Sequence, residues 1–71
     1  MDTDRLLEWI AKRGLSNSEF AEAIGIDSST FYRKLQSKGL KFTVGQMHAT
    51  VKVLNLSPRE ARAIFMPSNS H

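Results

Sequence analysis

Ser16-Asn17-Ser18-Glu19-Phe20-Ala21-Glu22-Ala23-Ile24-Gly25-Ile26-Asp27-Ser28-Ser29-Thr30-Phe31-Tyr32-Arg33-Lys34-Leu35 decides the fold, because it reads as two short capped helices around a glycine. Ser16 with Glu19 three residues on is a capping box, in which each side chain satisfies the other residue's free N–H. Phe20, Ala21 and Ile24 follow at helical spacing and give this helix an apolar face. Gly25 stops it. Continuing through glycine would cost about 1 kcal/mol relative to alanine, whereas glycine permits the positive φ that a sharp turn between helices needs. Asp27 or Ser28 caps the next helix, which is expected to reach about Lys38 before Gly39 ends it, with Phe31 and Leu35 facing inward.

The same grammar extends in both directions. Upstream, Leu6, Leu7 and Ile10 predict a helix over about Thr3 to Arg13, with Gly14 as a left-handed cap and Trp9 at the core or its margin. Downstream, Thr43 and Gln46 form another box-like start, and Val44, Met47, Val51 and Leu54 step along one helical face toward Asn55. Ser57-Pro58-Arg59-Glu60 combines a serine cap, a first-turn proline and a glutamate at the third helical position, opening a last helix that carries Ala61, Ile64 and Phe65. Leu40–Val44 and Val51–Val53 also alternate as short strands would. The four-residue stripe is longer and favours helix, which leaves Phe42 as a loop residue plugging the core below the third helix. The expectation is an all-α, compact five-helix domain over residues 1–66, followed by a disordered tail at 67–71.

Size and composition bound the function. A chain of 71 residues makes one domain with a small core, and without cysteine neither disulfides nor a thiolate metal site can reinforce it. No run of about 18 apolar residues is present, and the acidic start Met1-Asp2-Thr3-Asp4 is unlike a secretory signal. These features predict a soluble, cytoplasmic protein with no membrane partner. His48 and His71 stand alone without a second ligand at zinc spacing, and no nucleophile is set beside a base. No metal, cofactor or enzyme activity is therefore expected.

Net charge is only +3, but its distribution is uneven. Between Ser28 and Arg59 there are six basic residues, Arg33, Lys34, Lys38, Lys41, Lys52 and Arg59, and no carboxylate; all seven carboxylates lie at positions 2 to 27 or at 60. Such a run serves solubility in many small proteins. Here it begins at the helix that follows the glycine turn. With Phe31 and Leu35 inward, a rotation of about 100 degrees per residue turns Ser29, Arg33 and Gln36 outward, flanked by Tyr32, Ser28 and Ser37. This is the layout of a helix-turn-helix, with the second helix offering hydrogen-bonding side chains to a major groove. Arg33 can present a bidentate fork to guanine O6 and N7, worth about 1–3 kcal/mol of discrimination. Ser28 and Ser29 are short enough to let the helix approach closely.

Ala21, Gly25, Ile26 and Phe31 stand where such a unit needs a small residue, a turn former and two apolar anchors, and the chain resembles the lambda-type Cro and repressor family of small phage and bacterial regulators. The likeness covers about residues 4 to 66. It includes the run Thr30-Phe31-Tyr32-Arg33-Lys34-Leu35, the Phe42-Thr43 start of the next helix and the Ile64-Phe65 near the end. The resemblance implies a lambda repressor-like DNA-binding domain whose helices 2 and 3 form the motif. It implies base contacts from Ser28, Ser29, Tyr32 and Arg33. Phosphate contacts would come from Asn17 at the start of the second helix and from Ser37, Lys38 and Lys41 after the third. The family usually has an apolar residue three after the Phe31 position, and this chain has Lys34 there. Either the third helix is rotated slightly, changing which of Tyr32 and Arg33 meets the groove, or the alkyl stem of Lys34 lies on the core edge with its ammonium in solvent.

The function these features predict is sequence-specific binding of duplex DNA by a Cro-like phage or prophage repressor. One unit reads few base pairs, so a homodimer spanning half-sites about 34 Å apart is expected on DNA. Ile64, Phe65 and Met66 are the candidate dimer or partner contacts, with closure of the core as their other reading. A second class of function is a small modulator or antirepressor that binds a partner repressor or other protein through the same fold. A third, a small antitoxin, shares the DNA-binding layout.

Overall fold

The computed structural model describes residues 1–38 and 41–67. Within them the chain is all-α, with α1 (Thr3–Lys12), α2 (Asn17–Ala23), α3 (Ser28–Gln36), α4 (Val44–Leu54) and α5 (Pro58–Phe65). No strand occurs among the described residues, and the alternating Val51–Val53 lies inside α4. The expected stop at Gly39 and the expected disordered tail from Ser68 lie outside the described residues.

Short helices need their ends satisfied, because nucleation is costly and few internal hydrogen bonds repay it. Each of the five begins at a polar cap. Asp2 accepts the Arg5 N–H at 3.0 Å, and Ser16, Thr43 and Ser57 each form a reciprocal capping box with Glu19, Gln46 and Glu60. Asp27, rather than Ser28, caps α3 by accepting the Thr30 N–H at 2.7 Å.

The first four helices close on a residue in the left-handed region: Gly14 at φ +77°, Gly25 at +87°, Lys38 at +58° and Asn55 at +52°. After α2, the Ile26 N–H returns to the Ala21 carbonyl at 3.0 Å and the Gly25 N–H to Glu22 at 3.0 Å. After α1, Leu15 bonds Ile10 and Gly14 bonds Ala11; after α4, Leu56 bonds Val51 and Asn55 bonds Lys52. These are paired Schellman closures, in which the positive φ lets two N–H groups turn back onto the last carbonyls.

Packing joins α2 to α3, α1 to α2, α1 to α5 and α2 to α4. Leu6, Ile10, Phe20, Ala21, Phe31, Leu54 and Ile64 are buried at the centre. The rings of Phe20 and Phe31 lie 5.3 Å apart at 57°, a tilted contact that fixes α3 on α2. Phe42 is buried under α3 and packs on Phe65 at 6.3 Å, as the plug expected from the sequence. Trp9 is half-buried at the core margin, and the cationic groups of Lys12 and Arg13 lie 4.7 and 4.8 Å from its ring centroid. The Arg13 Nε donates to the Leu54 carbonyl at 2.7 Å and thereby satisfies the end of α4.

Two expectations are corrected. Val44 is exposed, not part of the buried stripe. Helical side chains lean toward the N-terminus, so the first residue of α4 leans out beyond the turn that packs. The buried places on α4 are taken by Thr50 and Leu54, and the Thr50 hydroxyl is satisfied by the Gln46 carbonyl at 2.8 Å. Secondly, α3 ends at Gln36 and not near Lys38. The Ser37 hydroxyl donates to the Lys34 carbonyl at 2.8 Å and the Lys38 N–H to Leu35 at 2.9 Å, closing the helix before Gly39.

Candidate nucleic-acid interface

The outward face of α3 exists because Phe31 is wholly buried. Anchoring that position turns the residues after it to solvent, and Ser29, Tyr32, Arg33 and Gln36 are all exposed. Tyr32 is 52% exposed, with its ring 6.4 Å from that of Phe31. The Arg33 guanidinium lies at 3.5 Å from the Thr30 hydroxyl, one turn back, a weak contact that leaves its donors available. Both side chains therefore point outward.

Lys34 explains why. It is half-buried, and its ammonium donates to the Lys41 carbonyl at 2.6 Å while lying 5.9 Å from the centroid of the Phe42 ring. The stem covers the core edge where an apolar side chain was expected, and Phe31 faces inward beside it.

At the N-terminal end of α3 the arrangement is more constrained than the sequence implied. Ser28 is half-buried and lines a shallow groove with Ser18, Glu19, Glu22, Ile26 and Asp27. The Ser29 hydroxyl lies 3.1 Å from Asp27 Oδ1 and donates to it. A hydroxyl has one proton, so in this state Ser29 can only accept from a base edge. Hydrogen bonds from the Thr30 side chain and backbone and from Ser29 hold the Asp27 carboxyl below its ordinary value, with the Arg33 charge adding to the effect. Asp27 is thus ionised at neutral pH, and with Glu19 and Glu22 it makes this end acidic.

The C-terminal half is the opposite. Thr30, Arg33, Lys34, Ser37 and Lys41 line a second shallow groove, and Lys38 and Lys41 are exposed. Ser37 has its hydroxyl proton engaged by the Lys34 carbonyl, so as a phosphate donor it is spent while that bond stands. Asn17, the first residue of α2, is half-buried at that helix's N-terminus. The acidic rim, built by α2 and the cap of α3, and the basic C-terminal half lie at opposite ends of α3. The concentration of carboxylates before position 28 was the sequence signal for it, but which face they occupy needed the packing of α2 on α3.

Of the candidate partner contacts, Ile64 is wholly buried and belongs to the core; it has no surface to offer. Phe65 is half-buried against Phe42, and Met66 is exposed. No helix among the described residues is long and apolar enough to cross a membrane, and no group of metal-ligating side chains is assembled among them. Comparison with known proteins gives no match: no family model, no curated protein and no solved structure matches the chain.

Proposed function

We propose that this chain is a lambda-type helix-turn-helix regulator that binds duplex DNA in a sequence-specific way, with α2 and α3 as the motif and α3 in the major groove, acting as a Cro-like phage or prophage repressor. The observation that carries this reading is the face of α3. A wholly buried Phe31 fixes the helix on α2, and Tyr32 and Arg33 are left exposed, Arg33 with a weak 3.5 Å contact to the Thr30 hydroxyl. Arg33 takes the base-reading role through a guanidinium fork, with Ser28, Ser29 and Tyr32 beside it. Lys38, Lys41 and Asn17 take phosphates. A two-fold dimer would place two such helices one DNA turn apart, about 34 Å.

The test begins with selection of preferred duplexes from a random-sequence pool by the purified chain, followed by titration over a salt series. Arg33→Ala is expected to flatten the preference at one or two positions, each worth about 1–3 kcal/mol. Retention of the full preference by that variant would remove Arg33 from the reading role.

A second reading has its own support. Met66 and Val44 are both 68% exposed, and the groove before α3 is rimmed by Glu19, Glu22 and Asp27, features suited to a protein partner. Under it the chain is a modulator or antirepressor. Absence of any salt-sensitive DNA binding at micromolar concentration would favour that reading over the first.

A further inference from the structure

We propose that Lys34 is a positioning residue of the DNA-binding face: by holding the Lys41 carbonyl it sets where the Lys41 ammonium meets the phosphate backbone relative to Arg33. The proposal rests on the DNA-binding reading above.

Lys34 stands three residues after the buried Phe31 and is itself half-buried. A leucine or methionine would cover the same core edge. What lysine adds is the donor at the end of the stem, and that donor reaches the Lys41 carbonyl at 2.6 Å. A charge-assisted bond of this kind is about twice as strong as a neutral one. Each end of that bond adjoins a packed element. Lys34 lies in α3, with its own carbonyl bonded by the Ser37 hydroxyl at 2.8 Å. Lys41 precedes Phe42, which is buried and packed on Phe65, and the Lys34 ammonium also faces the Phe42 ring at 5.9 Å. The bond therefore ties the segment entering α4 to the helix that carries Arg33.

The groove gives that tie a use. Arg33 and Lys41 both line it, and Lys34 lies between them in sequence and bonds the backbone of one. Phosphates recur along a DNA strand at fixed intervals, so two cations serve one strand only when their separation is held. A lysine on a loose loop would give charge without register. Lys34 supplies the register.

Lys34 has three N–H donors and could instead meet a phosphate itself. A double-mutant cycle separates the two roles. Wild type, Lys34→Met, Lys41→Ala and the double variant are titrated with random-sequence duplex over a salt series, with Lys34→Arg as the conservative rescue. Each lost phosphate contact lowers the slope of log K against log salt by about 0.9, or about eightfold in affinity per decade of salt. The expected result is that Lys34→Met and Lys41→Ala each lower the slope by about one unit, the double variant loses no more than either single, and Lys34→Arg keeps the wild-type slope. Additive losses in the double variant would make Lys34 a direct phosphate contact and overturn the proposal. So would an unchanged slope in Lys34→Met with a lowered thermal midpoint, which is the signature of a purely structural bond.

A second measurement needs no DNA. In free wild-type protein, through-hydrogen-bond NMR coupling between the Lys34 ammonium and the Lys41 carbonyl carbon is expected, and it is absent in Lys34→Met. A chain that binds DNA without that coupling overturns the positioning role alone. One that shows the coupling but no salt-sensitive DNA binding overturns the DNA reading and, with it, this use of the bond.

Discussion

Lys38 holds a backbone conformation that suits glycine and carries a side chain that suits phosphate, and the two demands can be separated by substitution. Its φ of +58° follows the end of α3, where its N–H closes on the Leu35 carbonyl at 2.9 Å. For an L-residue with a Cβ, the left-handed region costs about 1–2 kcal/mol in steric terms, and glycine escapes this but loses more chain entropy on folding. The net gain of Lys38→Gly over Lys38→Ala should therefore be about 1 kcal/mol, since both variants lack the amine and differ only in the Cβ. In a 71-residue chain that corresponds to a thermal midpoint about 4–8 °C higher for the glycine variant. Binding should move the other way from wild type and equally in both, with the salt slope reduced by about one unit. The assay pairs thermal unfolding followed by circular dichroism with DNA titration across a salt series. Equal midpoints for the two variants would refute the left-handed closure at Lys38, and an unchanged salt slope in both would remove Lys38 from the phosphate contacts. The combined result expected is a variant more stable than its alanine counterpart and weaker on DNA than wild type, a local strain kept for the position of one charge.

Two further outcomes follow from the same structure. Arg13→Ala removes the donor to the Leu54 carbonyl at 2.7 Å and the guanidinium over Trp9, and is expected to cost about 1.5–3 kcal/mol in urea unfolding, whereas Lys12→Ala, which removes only the ammonium over the same ring, should cost under about 1 kcal/mol; equal losses would show that the carbonyl bond contributes nothing. Asp27→Asn tests the cap of α3 through pH. Because the folded state lowers the Asp27 pKa below its ordinary value of 3.8, the unfolded chain takes up the proton first, so the stabilisation is fully present above that value and lost as pH falls through the lowered one. The midpoint difference between wild type and Asp27→Asn should therefore be constant near neutrality and shrink in acid; a difference that persists unchanged at the lowest pH would place its origin elsewhere than the carboxylate.

What was legible in the sequence was local. Ser16 with Glu19, Thr43 with Gln46 and Ser57 with Glu60 mark three helix starts because each capping box closes within four residues, and Gly14 and Gly25 mark ends because positive φ is a property of one residue. Phe20, Ala21 and Ile24 were readable as core because helical period brings them to one side of α2, and Phe31 because it falls with Leu35 on one side of α3. The outward set on α3 follows from the same period, which is why Tyr32 and Arg33 could be named before any packing was known.

Tertiary structure decided whatever depends on what lies across from a residue. Val44 fits the apolar stripe of α4, yet it is exposed, and Thr50 is buried in spite of its hydroxyl because the Gln46 carbonyl satisfies it. Arg13 meets the Leu54 carbonyl from 41 residues away, a pairing no local pattern encodes. Ile64 became core and lost its candidacy as a contact because α5 closes on α1. Lys34 could be read either as a departure that turns α3 or as a stem lying on the core edge, and the Lys41 carbonyl and the Phe42 ring give its ammonium a place with the stem half-buried. Caps, turns and periodicity are set by bonds within a few residues, so the sequence carries them alone. Burial, the partner of a charge and the direction of a surface depend on groups distant in the chain, and only folding brings those together.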